Sequence, residues 1–424
     1  MAQRFSHMAE TLTGSEIIRL GNEISRRIKA GERIFNLTIG DFDPGIFPIP
    51  NTLKRLIQEC YDKGLTNYPP ADGILELREA VSQFLNNSLK TGFKPSEIQV
   101  AGGARPLIYT IFRTLLDPGD AVVFPVPSWN NNHYCHLVGA RPLVVQTLPE
   151  DNFMPRAQQL EPLLREATLL ALCSPLNPTG TSFTRQQLQE ICGLVLEENR
   201  RRKSGQKPLY LLYDQIYWPL MPSDLEHHHP LALLPDLAPF TVYVDGISKS
   251  LAATGLRVGW ASGPEPLIQR MRAILGHIGA WAPRAEQSAV ADYLGRSSEV
   301  SEFLQHINRE ISSRQNAFYE GLKGLQDKGY PVQVIQPTGA IYLSVRWAVR
   351  GAQTPAGKVL HTASDIAEYL LAEASVAVVP FTAFGLPPDT DWFRISVGTC
   401  RLQDIPEILE SIENSLSHLS FLAN

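Results

Sequence analysis

The sequence is poor in the features that place a protein in a membrane or outside the cell. It has no apolar run that approaches the length of a spanning helix, and its apolar stretches are short and β-branched. The N-terminal stretch MAQRFSHMAETLTGSE lacks the apolar core of a secretory signal peptide. We therefore expect no membrane partner.

The sequence also has few cysteines and no excess of positive charge. The 424 residues include only five cysteines, which are scattered, and no two of them are spaced as CxxC. That usage favours reduced thiols and a cytoplasmic location over a disulfide framework. The net charge of −5 disfavours nucleic acid as a partner. What remains is a globular protein, 44% hydrophobic and long enough for two or three domains.

The central part of the chain alternates between short apolar runs and helical patterns. The runs are continuous and rich in Val, Leu and Ile, as strands buried on both faces of a sheet are. This alternation predicts an α/β fold whose large domain has a mostly parallel seven-stranded sheet with helices on both sides. The seven runs are Ile98–Ala101, Ala121–Phe124, Pro142–Val145, Leu169–Cys173, Leu209–Tyr213, Thr241–Val244 and Val258–Ala261.

The flanking segments predict further elements and a division into domains. We expect an N-terminal arm over residues 1–50 that packs with a small domain, a large domain over 51–290, and a smaller α+β domain over 291–424. Apolar spacing also predicts a long helical stretch after Pro283. Strands are predicted over Ile34–Ile39, Val332–Ile335, Ile341–Val345, Val376–Val379 and Phe393–Val397, and helices over Asn51–Asp62, Gly73–Leu89, Pro106–Leu116, Arg185–Arg201, Ala363–Glu373 and Gln403–His418.

The stretch VDGISKSLAATGLRVGW, from Val244 to Trp260, contains the most reactive combination of residues. A lysine at the end of a buried strand, Lys249, is costly to keep charged, and a neutral lysine amine is a good nucleophile for a Schiff base. Arg257 follows it between two glycines, which let a phosphate approach closely. Together these side chains predict pyridoxal phosphate as the cofactor.

Three upstream motifs fit the same cofactor. Asn177 in SPLNPTG and Asp214 in YDQIY each follow a strand, at the edge where open α/β sheets bind ligands. A carboxylate there can hold a pyridine nitrogen protonated and make the ring an electron sink. Asn177 and Tyr217 could both bond to the ring's phenolic oxygen. The glycine turn at Gly103 and Ala104 opens a predicted helix, and a helix N-terminus binds phosphate.

With these motifs, the sequence resembles the class I and II aminotransferases, which are pyridoxal-phosphate enzymes of fold type I. SPLNPTG, YDxxY, SKSxxxxGxR and FRISVG all match, and the likeness covers nearly the whole chain. The resemblance implies that Lys249 is the Schiff-base lysine, Asp214 the partner of the pyridine nitrogen, and that the protein is a homodimer with shared active sites. It further implies that Asn177 and Tyr217 contact the phenolic oxygen, that Trp129 stacks on the cofactor ring, and that the phosphate is bound by Gly103, Ala104 and Arg257. Tyr68 would contact the phosphate in the neighbouring subunit's site. Arg394 and Gly40 would contact the substrate α-carboxylate.

Three positions depart from the family's pattern. Many relatives have a phosphate-binding serine three residues before the lysine, where this chain has Gly246. Ser248, next to Lys249, is a candidate replacement. Pro380-Phe381 stands in place of the usual Pro-Gly, and the loop after Gly40 is abbreviated.

The expected reaction is amino-group transfer from an L-amino acid to 2-oxoglutarate by a ping-pong mechanism. Lys249 would move the α-proton, and Arg394 would orient the substrate carboxylate. Arg105, one residue past the phosphate turn, favours a dicarboxylic donor such as aspartate. Arg284 is a second candidate for that role, acting across the dimer. Aromatic, prephenate-type and diaminopimelate donors remain open.

Two other classes of function remain open, together with one possible metal site. A fold type I lyase or decarboxylase would share the cofactor residues and release its products without an amino acceptor. A non-catalytic regulator would need an N-terminal DNA-binding module, for which the early start of the large-domain pattern leaves no room. Consecutive histidines cannot share one helix face, so His227-His228-His229 predicts a surface loop rather than a metal site.

Overall fold

The computed structural model describes residues 4–421 and contains one large seven-stranded sheet. Its strands are β1 (Ile98–Ala101), β2 (Ala121–Val126), β3 (Arg141–Gln146), β4 (Ala167–Cys173), β5 (Tyr210–Asp214), β6 (Thr241–Gly246) and β7 (Gly259–Ser262). Across the sheet they are ordered β1-β7-β6-β5-β4-β2-β3. Among these strands only β7 is antiparallel to its neighbours, which confirms the mostly parallel sheet.

Both faces of this sheet are buried because its strands carry apolar residues at successive positions. Leu211 and Tyr213 of β5 contribute to the core on one face, and Leu212 contributes to the core on the other. Helices cover both sides, as α/β architecture requires.

Fifteen α-helices lie within residues 4–421. The helices are α1 (His7–Thr11), α2 (Glu16–Lys29), α3 (Asn51–Asp62), α4 (Leu75–Leu89), α5 (Ala104–Leu115), α6 (Asn131–Val138), α7 (Ala157–Leu164), α8 (Arg185–Arg201), α9 (Pro230–Leu233), α10 (Ile247–Ser250), α11 (Glu265–Ile278), α12 (Arg284–Leu294), α13 (Ser297–Asp327), α14 (Ala363–Glu373) and α15 (Ile405–Ser417). Of the six helices predicted with ranges, α3, α8 and α14 have the predicted bounds, and α4, α5 and α15 begin or end within two residues of them. None of the described helices is both long enough and apolar enough to span a membrane.

The smaller domain is built on a four-stranded antiparallel sheet. Its strands are β8 (Val332–Val334), β9 (Tyr342–Trp347), β10 (Val379–Pro380) and β11 (Trp392–Ser396), in the order β10-β11-β9-β8. The long helix α13 joins the two parts, because Val300 packs in the large-sheet core while Ile307 and Phe318 pack in the small-domain core. We keep 50/51 and 290/291 as proposed domain boundaries.

Two predicted strands are shorter or divided in the structure. The strand predicted over Ile34–Ile39 contains only Phe35–Asn36, which pairs in parallel with Val376–Ala377. The strand predicted over Val376–Val379 is therefore split, since Val379–Pro380 pairs with β11 in a different sheet. Apolar runs predicted these segments, but the change of pairing partner within one run is a tertiary effect.

The N-terminal segment lies against the same small domain. The main-chain N–H of Phe35 donates to the carbonyl of Ser375 at 2.8 Å, and Leu37 donates to Ala377 at 3.0 Å. Before this strand, α2 places Ile17, Ile18 and neighbouring residues along the edge of the cavity at the carboxyl ends of the large-sheet strands. This helix is therefore part of the candidate site.

Candidate active site

The carboxyl ends of β4, β5 and β6 open into a cavity of about 690 Å³. Asn177 follows β4, Asp214 ends β5, and Lys249 lies in α10 directly after β6, so the structure brings the three central motifs together. Other predicted site residues in the wall of this cavity are Gly40, Ala104, Arg105, Trp129, Tyr217, Ser248, Arg257 and Arg394.

The amine of Lys249 lies inside this cavity. Its Nζ donates to the carbonyl oxygen of Gly40 at 2.6 Å and lies 5.8 Å from the centre of the Tyr217 ring. Burial lowers the pKa of Lys249 to about 8. The positive charge of Arg394 acts in the same direction, and the carboxylate of Asp41 opposes it. The amine therefore has a larger neutral, nucleophilic fraction near physiological pH than an ordinary lysine has.

Asp214 is the carboxylate at the end of β5, in register with Cys173 on one side and Val244 on the other. Its Oδ1 accepts the main-chain N–H of Ile216 at 3.1 Å. Burial raises the pKa of Asp214 to about 6, and that hydrogen bond only partly offsets the effect. A cation placed beside this carboxylate would stabilise its ionised form.

Arg394 is fully enclosed, with 1% of its surface exposed. Its Nη1 donates to Oδ1 of Asn177 at 3.0 Å, Nη2 donates to the carbonyl of Thr38, and Nε has no hydrogen-bond partner within the described chain. The guanidinium lies 4.7 Å from the Tyr342 ring centre and 5.0 Å from that of Phe384. Burial also lowers the pKa of Arg394.

These three charged groups lack partners of opposite charge. Within residues 4–421, neither Lys249, Asp214 nor Arg394 forms an ion pair. A buried charge without a partner costs several kcal/mol, as an order of magnitude. Charged ligands would remove that cost.

A second group of residues forms the end of the cavity that suits a phosphate. Arg257 donates through Nη2 to the carbonyl of Gly102 at 2.9 Å and through Nη1 to that of Thr254 at 2.7 Å. A Cβ at Gly103 would lie 2.4 Å from Nη2 of Arg257, and its φ is +96°, so only glycine fits. Helix α5 begins at Ala104, and the unbonded N–H groups of its first turn attract anions.

Ser248 is buried and lines the same cavity. Gly246 does not contribute to the cavity wall. A hydroxyl from Ser248 is thus available where relatives use a serine three residues before the lysine.

The phenol of Tyr217 is hydrogen-bonded to another tyrosine. The hydroxyl oxygens of Tyr217 and Tyr342 are 2.7 Å apart. Burial raises the pKa of Tyr217 well above its usual range, so this phenol stays protonated and can donate a hydrogen bond.

Trp129 and Arg105 meet at the mouth of the cavity. The guanidinium carbon of Arg105 lies 5.2 Å from the centre of the Trp129 ring, in a cation–π contact. Both side chains line the cavity and Arg105 is exposed, so its charge is available to a ligand.

Three predicted residues do not line the cavity: Gly103, which packs against Arg257, and two residues that lie further away, Tyr68 and Arg284. Tyr68 is 83% exposed and makes an edge contact with Trp281, with ring centres 5.4 Å apart. Arg284 donates to Oδ1 of Asn67 at 2.7 Å. Neither Tyr68 nor Arg284 lines the cavity, so within one described chain neither can contact its ligand.

Several cavity residues were not predicted from the sequence. Asp41 and Tyr342 line the cavity, and so do five residues of α2: Ile17, Ile18, Gly21, Asn22 and Ser25. Tyr342 lies in an ordinary apolar strand, and α2 has the pattern of any amphipathic helix. Asp41 directly follows Gly40. Among these unpredicted residues, only Asp41 lies in a segment that the sequence had singled out, the abbreviated loop after Gly40.

The prediction of a surface loop at the three histidines was wrong for His229. His229 is buried and stacks on Tyr243 with ring centres 4.3 Å apart. Apolar packing against β6 draws it inward. The described residues contain no group of three or more His, Cys, Asp or Glu arranged to hold a metal ion.

The donor set fits pyridoxal phosphate. The cofactor has an aldehyde, a basic ring nitrogen, a phenolic oxygen and a phosphate. The cavity offers an amine of lowered pKa at Lys249, an unpaired carboxylate at Asp214, a protonated phenol at Tyr217 and a phosphate site at Arg257, which packs against Gly103. Each polar group of the cofactor therefore has a complementary protein group in one cavity.

Comparisons with known proteins identify the family of this chain. The chain belongs to the class I and II aminotransferases, whose family model matches residues 32–412. Aspartate aminotransferase from Bacillus sp. (strain YM-2) is 28% identical over 416 residues, covering 97% of this chain and 99% of that protein. The crystal structure of the Rhizobium meliloti aspartate aminotransferase superimposes with a TM-score of 0.89 at 28% identity and covers 99% of this chain and 100% of that one. An aromatic aminotransferase from Pyrococcus horikoshii OT3 superimposes with a TM-score of 0.80 at 29% identity and covers 93% and 98%.

The protein is therefore a pyridoxal-phosphate-dependent transaminase of fold type I.

Proposed function

We propose that this transaminase transfers the amino group of L-aspartate to 2-oxoglutarate. The observation that carries the proposal is a pair of arginines in one cavity with Lys249. Arg394 is buried without a carboxylate partner, and Arg105 lies exposed beside Trp129. A dicarboxylic substrate has one carboxylate for each arginine. Relatives over nearly the whole chain carry the name aspartate aminotransferase, which supports the same substrate.

Lys249 and Asp214 perform the proton chemistry in this proposal. Bound pyridoxal phosphate supplies an electron sink for the substrate α-carbon. Lys249 would hold the cofactor through Nζ, and the same nitrogen would take the substrate α-proton as a general base and return it as a general acid. A pKa of about 8 suits both steps, since the amine is close to half protonated near that pH. Asp214 keeps the ring nitrogen protonated by pairing with its positive charge.

We propose the remaining cofactor contacts from the residues in and beside the same cavity. Tyr217 donates to the phenolic oxygen, with the amide of Asn177 beside it. Trp129 stacks on the ring. Arg257 and Ser248 bind the phosphate, together with the main-chain N–H groups at Gly103 and Ala104.

Arg394 binds the α-carboxylate, and Gly40 closes over it. A guanidinium has five N–H donors, and the two contacts to Asn177 and Thr38 leave three for a substrate. Two of these can hold a carboxylate in a bidentate pair. This pairing removes the cost of the buried charge at the moment of binding.

Arg105 reads the distal carboxylate of aspartate in this proposal. The test is Arg105→Ala, assayed with aspartate and with alanine against 2-oxoglutarate. A lost charged contact costs roughly 1.5–3 kcal/mol, so kcat/KM for aspartate should fall about tenfold to a few hundredfold, while alanine is unaffected. Arg113→Ala is the matched control, because Arg113 is an exposed arginine on the same helix that does not line the cavity.

The outcomes separate three assignments. An equal loss for both substrates, or weaker cofactor binding, makes Arg105 a phosphate residue and moves side-chain recognition to Arg284. Higher kcat/KM for phenylalanine or prephenate than for aspartate in the wild type replaces aspartate with an aromatic donor. Pyruvate and ammonia formed without an acceptor would indicate a lyase.

Aromatic donors are the second candidate, and α2 favours them. Ile17 and Ile18 supply apolar wall next to Trp129, which suits a hydrophobic side chain. The similar structure from Pyrococcus horikoshii is named an aromatic aminotransferase.

We also propose a homodimer with shared sites and a cytoplasmic location. Tyr68 and Arg284 lie outside their own cavity, as residues that serve the neighbouring subunit must. Sedimentation at micromolar concentration checks the dimer. All five cysteines are free thiols, which suits a reducing compartment, and cell fractionation checks it.

A further inference from the structure

A polar cluster lies beneath the lysine-bearing turn, on the face of the sheet opposite Asp214. Asp214 is in register with Val244, and Val244 packs in one core while Tyr243 packs in the core of the opposite face. Side chains along a strand project alternately from its two faces, so Asp245 projects from the same face as Tyr243, on the side away from the cofactor cavity. Asp245 is 2% exposed. It is therefore a buried acid that the proposed reaction does not use.

The carboxyl of Asp245 joins two donors. Its Oδ2 accepts the indole N–H of Trp218 at 2.7 Å, and its Oδ1 accepts the main-chain N–H of Gly246 at 2.7 Å. Within residues 4–421 it forms no ion pair with a cation. Burial raises the pKa of Asp245 to about 8, and the two hydrogen bonds oppose that shift without cancelling it. Both of its oxygens are therefore occupied by donors of the chain itself.

Gly246 is the residue through which Asp245 reaches Lys249. It directly precedes α10, and its carbonyl accepts the hydroxyl of Ser250 at 3.2 Å. A Cβ at Gly246 would lie 2.8 Å from Cα of Gly259, so the chain passes tightly against β7. A movement of Gly246 would therefore be transmitted to the four-residue turn that contains Lys249.

Trp218 is itself fixed by aromatic packing. Its ring lies 5.6 Å from that of Phe84 and 6.2 Å from that of His227, measured between centres. Burial lowers the pKa of His227 to about 3. This imidazole is therefore neutral at pH 7 and does not form an ion pair with Asp245. The indole N–H of Trp218 is directed at Asp245 alone among the described residues.

We propose that Asp245 and Trp218 are positioning residues for Lys249. The indole N–H holds the carboxyl, the carboxyl holds the main-chain N–H of Gly246, and the turn then holds the lysine amine at the reacting carbon. This inference rests on the proposed role of Lys249. Neither Asp245 nor Trp218 lines the cavity or contacts a ligand there.

Two conservative substitutions remove one hydrogen bond each. Trp218→Phe keeps an aromatic ring and deletes the N–H. Asp245→Asn keeps the size of the side chain, but its NH₂ group cannot accept a hydrogen bond, so one of the two donors loses its partner. A displaced catalytic group of about 1 Å can cost a hundredfold in rate, so we expect each variant to lose about tenfold in kcat per bound cofactor. The KM for the amino donor should stay within about twofold, because Arg394 is untouched.

The double variant tests whether the two residues act as one unit. If Trp218 acts through Asp245, the double variant should lose no more than the worse single variant, since residues in one hydrogen-bond network are not additive. A second readout is the pH at which half of the bound cofactor changes its absorbance. We expect that midpoint to move by about half a unit or more in both single variants, because it reports the surroundings of the lysine nitrogen.

Trp347→Phe is the matched control. Trp347 is fully buried in the small domain, and its indole N–H has no partner within the described chain. Its replacement should change thermal stability alone, with kcat per bound cofactor and the absorbance midpoint unchanged.

Trp218→Phe decides the inference even if Asp245→Asn fails to fold. Unchanged kcat per bound cofactor and an unchanged midpoint in Trp218→Phe overturn it, as do losses that multiply in the double variant. Failure of the proposed function looks different, because the wild type would then transfer no amino group or Lys249→Ala would keep its turnover.

Discussion

Replacing Arg394 with methionine tests the central electrostatic feature of the site. Its guanidinium is buried, carries no carboxylate partner and is held by Asn177 and Thr38. Two charged hydrogen bonds to the α-carboxylate, at roughly 1.5–3 kcal/mol each, give about 3–6 kcal/mol. We therefore expect Arg394→Met to lower kcat/KM for aspartate by about 10²- to 10⁴-fold.

The assay compares substrates with and without an α-carboxylate. Steady-state kcat/KM is measured with aspartate and 2-oxoglutarate, and a single-turnover rate is measured with an alkylamine that has no carboxylate. The alkylamine rate should change by no more than a few-fold, because it never used Arg394. Arg394→Lys keeps the charge but loses the planar fork, so an intermediate loss is expected.

Arg314→Met is the matched control for removing a buried arginine. Arg314 is 5% exposed, lies 4.8 Å from the Phe47 ring centre and, unlike Arg394, pairs with a carboxylate, that of Glu310 at 2.8 Å. It does not line the cavity. Its loss should lower the melting temperature and leave kcat/KM unchanged. An Arg394→Met enzyme that keeps aspartate kcat/KM within tenfold, or loses alkylamine activity equally, would refute the role of Arg394.

Two further predictions concern the proton chemistry. Lys249→Ala should bind cofactor through its phosphate contacts but lack both the absorbance of the lysine-bound cofactor and multiple turnover. In the wild-type apoenzyme, labelling of Lys249 by an amine reagent should be half-maximal near pH 8, two to three units below an ordinary lysine, because only the neutral amine reacts and burial favours it. Half-maximal labelling near pH 10.5 would contradict the lowered pKa. Asp214→Asn should slow α-proton exchange of deuterated aspartate about a thousandfold, which is ~4 kcal/mol in the barrier, and should affect cofactor affinity less. Near-normal exchange would show that the ring nitrogen does not depend on this carboxylate.

Much of the fold could be predicted because its strands are buried on both faces. Continuous apolar runs located all seven strands of the large sheet, and helices such as α3 and α8 begin and end where apolar spacing placed them. The start of α5 was predicted two residues late, at Pro106, whereas the helix begins at Ala104. A proline fits the first turn of a helix because it needs no donor there, so it marks the start only approximately.

The cavity residues that follow strands could be predicted from local pattern, whereas Arg394 and Gly40 were predicted only through the resemblance to the family. Asn177, Asp214 and Lys249 stand at strand ends, and the topology of a parallel sheet brings such ends together. Tyr342 and the α2 residues reach the same cavity through contacts between distant parts of the chain. No local pattern distinguishes a tyrosine in an apolar strand that faces a cavity from one that faces a core.

The surroundings of two neighbouring acids suit them to different uses. Burial raises the pKa of Asp214 to about 6 and that of Asp245 to about 8. Asp214 lies inside the cavity, where its carboxylate can pair with a protonated ring nitrogen, and that pairing lowers its pKa. Asp245 lies outside the cavity, and its two oxygens already accept from Trp218 and from the main chain of Gly246. In the proposed mechanism, one face of the sheet therefore holds an acid for the chemistry, and the other holds an acid for the position of Lys249.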